Sequence, residues 1–246
     1  MFDIPNWSMV SNPAYFDFND RSRLLITSGD SWTYGDSLGK TKVRLGIDDT
    51  GYRLDHVYGR IISNELDRDW INLALPGISN SLLLRWLDKL LSEIQGYNDI
   101  ICSINLTETG RHEDLHSIAK DRSMHDNLRM ILAKTYSNIE ALKSKNPSIR
   151  FIVSHNFTDS IDNSLGYSWL ETMLDREIQN DTHILLSEHI SQMNQLGIFS
   201  DVNEIIDKAL KRIDLLDSCV YCNEGDSRHP NEMGHQLWAY QLLKHL

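Results

Sequence analysis

Two copies of the tripeptide Gly-Asp-Ser stand six residues apart in the stretch SGDSWTYGDSLG, and they end at Ser31 and Ser37. A serine hydroxyl becomes a nucleophile when a histidine removes its proton and a carboxylate orients that histidine. Near the other end of the chain, in NEGDSRHPNEMGH, Asp226 precedes His229 by three positions. On a turn that spacing places both side chains on one side, so Asp226 can hold Nδ1 and leave Nε2 facing a serine. The same pair also fits a helix-capping aspartate beside a surface histidine.

The elements that must position these residues alternate between strands and helices. Short apolar runs closed by turn residues predict buried parallel strands at 24–27, 70–75, 100–104 and 150–154. Helical periodicity predicts helices at 56–66 and 79–94, a long one ending before Pro147, and others at 165–178, 184–196, 202–216 and 231–245. This alternation predicts an α/β fold with a mostly parallel sheet between two layers of helices, and sites at the carboxyl ends of its strands.

That rule distinguishes the two serines. Ser31 lies just past the first predicted strand, on the turn where the backbone leaves the sheet. Ser37 lies deeper in a polar loop punctuated by glycines. Because a nucleophile needs a fixed position and a nearby base, Ser31 is the better candidate.

Length, composition and charge limit the classes of protein that fit. The 246 residues, 41% of them hydrophobic, fit a single domain over 24–246 with an N-terminal extension, 1–23, that packs on or flanks it. A formal charge of -11 argues against broad binding of nucleic acid or anionic lipid.

No signal peptide or membrane span is recognised, so the expected location is cytoplasmic. Cys219 and Cys222 form a C-x-x-C without the context of a zinc or redox site, so we expect ordinary thiols and no metal.

Taken together, the motifs resemble those of the SGNH hydrolases, the GDSL-type esterases and lipases. Gly29-Asp30-Ser31 matches the first block of that family, Gly77 the glycine of the second, Asn105 the asparagine of the third, and Asp226-Ser227-Arg228-His229 the last. The resemblance implies a three-layer α/β/α fold with a flavodoxin-like sheet and a Ser31-His229-Asp226 triad. It also implies an oxyanion hole formed by the Ser31 and Gly77 N–H groups and the Asn105 amide, with no cofactor.

The third block departs from the family pattern. The usual Gly-x-Asn-Asp reads here as Ser103-Ile104-Asn105-Leu106, so a shifted turn can bring Thr107, Thr109 or Asn156 to the oxyanion instead. Asn156, after the fourth predicted strand, is a candidate for lining the cleft. Trp32 and Tyr34 beside Ser31 form either a wall of the substrate site or an edge of the core.

The expected activity is hydrolysis of short, acetyl-type O-acyl esters, with a small-molecule or glycan ester as the binding partner. One alternative is acyl transfer to an alcohol acceptor by the same triad. The other is a non-catalytic relative that binds glycan or serves as a structural subunit. Oligomeric state is not predicted by the sequence.

Overall fold

The computed structural model describes residues 14–17, 22–36, 38, 49–107, 124–156, 169, 229–230 and 232–246. The strands within these ranges are β1 (Ala14–Asp17), β2 (Arg23–Gly29), β3 (Asp69–Ala74), β4 (Asp99–Leu106) and β5 (Arg150–His155). The helices are α1 (Ser31–Tyr34), α2 (Asp49–His56), α3 (Tyr58–Glu65), α4 (Asn80–Glu93), α5 (Met124–Lys145) and α6 (Glu232–Leu243).

One sheet contains all the described strands, in the order β1-β3-β2-β4-β5. β2, β3, β4 and β5 pair in parallel, and these are the strands that the apolar runs predict. β1 pairs antiparallel with β3, with Ala14 opposite Leu73. It lies in the predicted N-terminal extension and was not predicted as a strand, because four residues of mixed polarity give no periodicity to recognise.

Side chains of the sheet alternate between two hydrophobic clusters, one on each face. On β2, Leu24 and Ile26 pack in the cluster formed with α4 and α5, whereas Leu25 packs in the cluster formed with α1, α3 and α6. The sheet therefore lies between two helical layers. This arrangement confirms the predicted three-layer α/β/α fold class.

Helix boundaries follow local signals. α4 begins after Ser79, whose hydroxyl accepts a hydrogen bond from Leu82 N at 3.3 Å, as an N-cap should. The helix predicted at 56–66 is interrupted at Val57, whose ψ of 144° is extended, and α2 ends just before this residue. The predicted helices at 184–196 and 202–216 lie outside the described residues, as does that at 165–178 except for Trp169. Among the described helices none has both the length and the apolar character needed to cross a bilayer.

A buried aromatic cluster joins the helices of one layer. The Trp169 ring lies 5.5 Å from Trp32 of α1, 5.2 Å from Tyr58 of α3 and 5.6 Å from Trp238 of α6. Its Nε1 donates to the Gly234 carbonyl at 3.1 Å. Rings at these separations are attractive and bury large apolar surfaces, so α6 is held against the helix that follows β2.

Candidate active site

Ser31 is the first residue of α1, directly after the turn that ends β2, and it is 7% exposed. The turn is tight because Gly29 has no side chain: a Cβ there would lie 2.1 Å from Thr33 Oγ1. α1 ends at Gly35, whose φ of +79° is the left-handed conformation that glycine adopts without strain. The candidate nucleophile is thus fixed by glycines on both sides.

Asp30 connects the ends of three parallel strands. It caps α1 by accepting from Trp32 N at 3.0 Å, and the same carboxylate accepts from Asn156 Nδ2 at 2.8 Å and from Thr107 Oγ1 at 2.6 Å. Its side chain is buried, with 1% exposure for the residue. A buried carboxylate is tolerated only when donors satisfy it, and these donors come from the segments that follow β2, β4 and β5.

Asn105 lies inside β4 and is fully buried. Its Nδ2 donates to Thr33 Oγ1 at 3.3 Å and to Asn156 Oδ1, and its Oδ1 accepts from Ser154 Oγ at 2.9 Å. Asn156 is fully buried as well and belongs to this network. Both hydrogens of the Asn105 amide are therefore directed at protein atoms, Thr33 Oγ1 and Asn156 Oδ1.

Thr107 follows β4 at the same edge of the sheet. Asn80, the first residue of α4, fixes its backbone with two hydrogen bonds of 3.0 Å, accepting from the Thr107 N–H and donating to its carbonyl. Of the alternatives to Asn105, Thr107 thus joins the buried network through Asp30, and Thr109 lies outside the described residues.

Gly77 lies on the exposed turn after β3. Its φ of +78° is left-handed, and no atom lies within 4 Å of where a Cβ would be. The glycine is therefore explained by its backbone conformation and not by crowding. The turn follows the carboxyl end of β3, the edge of the sheet where α/β folds place their sites.

His229 lies beside the Ser31 turn, although the two residues are almost 200 positions apart. Its Nε2 is 3.8 Å from Oδ2 of Asp36, and the Asp36 N–H donates to the Ser31 carbonyl at 2.9 Å. The His229 side chain is 13% exposed. No hydrogen bond within the described ranges joins the Ser31 hydroxyl to His229. Asp226 and Ser37 lie outside those ranges.

Further groups surround the start of α6. Tyr52 of α2 donates to Glu232 Oε1 at 2.6 Å, and this bond, with burial and the negative charge of Glu232, raises the Tyr52 pKa to about 12. His235 is fully buried and its Nδ1 accepts from Tyr58 N at 3.3 Å. Burial, and to a smaller extent the nearby His229 and His56, lowers the His235 pKa to about 3. His235 is therefore neutral near pH 7 and adds no positive charge behind His229.

The two aromatic residues after Ser31 have different environments. Trp32 is 3% exposed and packs in the core, which favours its interpretation as an edge of the core over a substrate wall. Tyr34 is half-buried, with the Arg53 guanidinium 3.9 Å from its ring centroid and donating to its carbonyl at 3.1 Å. A cation–π contact of this kind fixes the ring at the end of α1.

Metal ligands and thiols add no further site among the residues whose placement is described. Within those ranges no group of three His, Cys, Asp or Glu side chains is arranged to hold a metal ion. Cys102 is buried in β4, and burial raises the pKa of its thiol. Cys219 and Cys222 lie outside the described residues.

Two residues of the candidate site, Asn80 and Asp36, are not predicted by the sequence. Asparagine at the start of a helix usually indicates only capping, so Asn80 carries no signal of its own. Asp36 belongs to the second Gly-Asp-Ser, and the repeat itself is the signal that draws attention to it.

No family model matches the sequence, and no curated protein matches it. Among solved structures, the chain is similar to a member of the lipolytic G-D-S-L family from Veillonella parvula, with 14% identity and a TM-score of 0.43 over 90% of this chain and 97% of that one. A carbohydrate esterase has 15% identity and a TM-score of 0.45 over 92% and 68%. An acetylxylan esterase from Geobacillus stearothermophilus has 15% identity and a TM-score of 0.42 over 90% and 92%. At these identities the likenesses carry no conclusion about activity.

Proposed function

We propose that this protein is a serine esterase that hydrolyses small, acetyl-type O-acyl esters, with carbohydrate esters as the favoured class. The observation that carries the proposal is the position of His229 beside the turn that begins at Ser31, with Nε2 3.8 Å from Asp36 Oδ2. The proposal is supported because Ser31 lies on a strand-to-helix turn at the carboxyl edge of a parallel sheet, where α/β folds place their sites, and His229 approaches Asp36 at the end of that turn.

In the proposed mechanism Ser31 Oγ attacks the ester carbonyl as His229 Nε2 takes its proton. Asp226 holds the productive tautomer of the imidazole, and His229 then delivers the proton to the departing alcohol. Water, activated by the same histidine, releases the acyl group from Ser31. In this proposal the hydrogen bond between Ser31 Oγ and His229 Nε2 tightens when the substrate binds, as catalytic hydrogen bonds often do.

The oxyanion is stabilised by backbone donors in this proposal. The Ser31 N–H is at the start of α1 and the Gly77 N–H is on the exposed left-handed turn after β3. Asn105 enters as a positioning residue, because its amide donates to Thr33 and Asn156 and supports the turn from below. Each donor to an oxyanion typically contributes about 3 kcal/mol to lowering the barrier.

The test is hydrolysis of p-nitrophenyl acetate and of acetylated sugars by the wild type, by Ser31→Ala and by the matched control Ser37→Ala. We expect kcat/KM to fall at least about 1000-fold in Ser31→Ala only. A fluorophosphonate probe should label the wild type and the control but not Ser31→Ala. Release of free acetate, measured with and without added alcohol, separates hydrolysis from acyl transfer. Equal turnover by all three proteins, with no labelling of Ser31, would overturn the proposal.

A further inference from the structure

Asp36, the acid of the second Gly-Asp-Ser, makes and breaks no bond in the proposed mechanism and yet lies beside His229. It follows the left-handed Gly35 that ends α1, and its N–H donates to the Ser31 carbonyl at 2.9 Å. Its side chain is 33% exposed, and Oδ2 is 3.8 Å from His229 Nε2. The carboxylate is therefore tied through its own backbone to the nucleophile turn and directed toward the candidate base.

The position of Asp36 relative to His229 indicates which part of a substrate it meets. In ester hydrolysis Nε2 delivers a proton to the alcohol oxygen that leaves, so that oxygen lies about 2.9 Å from Nε2. A carboxylate oxygen 3.8 Å from the same nitrogen is within reach of a hydroxyl group carried next to that leaving oxygen.

A vicinal diol fits between these two atoms. The two oxygens of a diol in its gauche form lie about one hydrogen-bond length apart. One oxygen, carrying the ester, accepts from Nε2, and the neighbouring hydroxyl donates to Asp36. The two hydrogen bonds and the distance between the two oxygens are each about one hydrogen-bond length, so together they bridge the 3.8 Å between His229 Nε2 and Asp36 Oδ2 without stretching.

We infer that Asp36 is a specificity-determining residue that accepts a hydrogen bond from the hydroxyl next to the ester, so that preferred substrates are monoesters of vicinal diols. This arrangement occurs in partially acylated carbohydrates. The inference rests on the proposed esterase function and names its substrate class more closely. A hydrogen bond to a carboxylate is about twice as strong as one between neutral groups, and the same charge disfavours anionic alcohol portions.

The test compares 2-hydroxyethyl acetate with 2-methoxyethyl acetate, which differ by methylation of the donor. Their kcat/KM ratio is corrected for the ratio of the two esters in hydroxide-catalysed hydrolysis. We expect the wild type to prefer the hydroxyl ester about tenfold, and Asp36→Asn to reduce the preference to less than about threefold. Because the readout is a ratio within each enzyme, any general change in the activity of the variant cancels.

Asp67→Asn is the matched control. It removes the same charge beside Arg23, at the end of β3 opposite the site, and asparagine tolerates its φ of 51°. This control should keep the wild-type ratio. An unchanged ratio in Asp36→Asn, or a wild type that hydrolyses p-nitrophenyl acetate without preferring the hydroxyl ester, overturns the inference and leaves the esterase proposal standing. A wild type that hydrolyses none of these esters and is not labelled at Ser31 overturns both.

Discussion

Replacing Asp30 tests whether its carboxylate organises the proposed active site. Asp30→Ala removes the acceptor of three hydrogen bonds, from Trp32 N, Asn156 Nδ2 and Thr107 Oγ1, and leaves these groups in a site that is almost completely buried. At about 1–3 kcal/mol for each unsatisfied buried donor, with partial relaxation, we expect a loss of about 5 kcal/mol in the free energy of unfolding. Asp30→Asn keeps the shape and one acceptor oxygen, so we expect a loss of about 2–3 kcal/mol.

Urea unfolding followed by circular dichroism measures both losses, and hydrolysis of p-nitrophenyl acetate measures the effect on the site. Ser79→Ala is the control for loss of a helix cap alone, because Ser79 caps α4 with a single hydrogen bond to Leu82 N. It should cost about 1 kcal/mol. We expect kcat of Asp30→Asn to fall at least tenfold, since Ser31 is the next residue. Should Asp30→Asn be as stable and active as the wild type, or Asp30→Ala cost no more than Ser79→Ala, the reasoning is refuted.

Two further predictions concern the left-handed turn at Gly77 and the buried imidazole of His235. Gly77→Ala should cost about 1 kcal/mol in the free energy of unfolding and at least tenfold in kcat/KM, because alanine resists a φ of +78°. The control Gly51→Ala, in the exposed part of α2, should instead stabilise the protein. Equal effects of the two substitutions in urea unfolding and ester hydrolysis would contradict this. His235 has its pKa lowered to about 3, so its unfolded form binds a proton that the folded form does not between that value and about 6.5. The contribution of neutral His235 to the free energy of unfolding is therefore full above pH 6.5 and is lost as the pH falls. The difference in this free energy between wild type and His235→Gln should shrink by about 1.4 kcal/mol per pH unit below 6.5. A difference that does not change with pH would contradict this.

The parallel strands could be predicted because their sequences are nearly continuous apolar runs. All residues of β3, for example, are buried, which is typical of a strand covered on both faces. β1 could not be predicted, because an edge strand of four residues is selected by its pairing with β3 and not by its own pattern. The break at Val57 between α2 and α3 could not be predicted either, because Val57 is itself buried and continues the apolar pattern of the helix.

The contacts of a side chain at the end of a strand are what the sequence predicts least well. Asn105 and Thr107 are two residues apart and face the same side of the sheet, so sequence patterning treats them alike. The register pairs Asn105 with Ser154, which places it under α1 beside Thr33, whereas Thr107 is the first residue beyond β4. Both residues are buried, but Asn105 contacts Thr33 and Asn156 from within β4, whereas Thr107 contacts Asp30 from just beyond the strand.

The repeated tripeptide supplies two aspartates with different roles in the proposed function. Asp30 is satisfied by fixed donors, so its charge is balanced before a substrate binds. Asp36 lies 3.8 Å from His229 Nε2, the nitrogen that in the proposed mechanism takes the serine proton and becomes part of a positively charged ring. At this distance a charge pair contributes about 1 kcal/mol even in a water-like dielectric, and that stabilisation exists only after proton transfer has begun. In the proposed mechanism Asp36 therefore favours the transition state over the resting enzyme, which is the condition for an electrostatic contact to raise kcat and not only affinity.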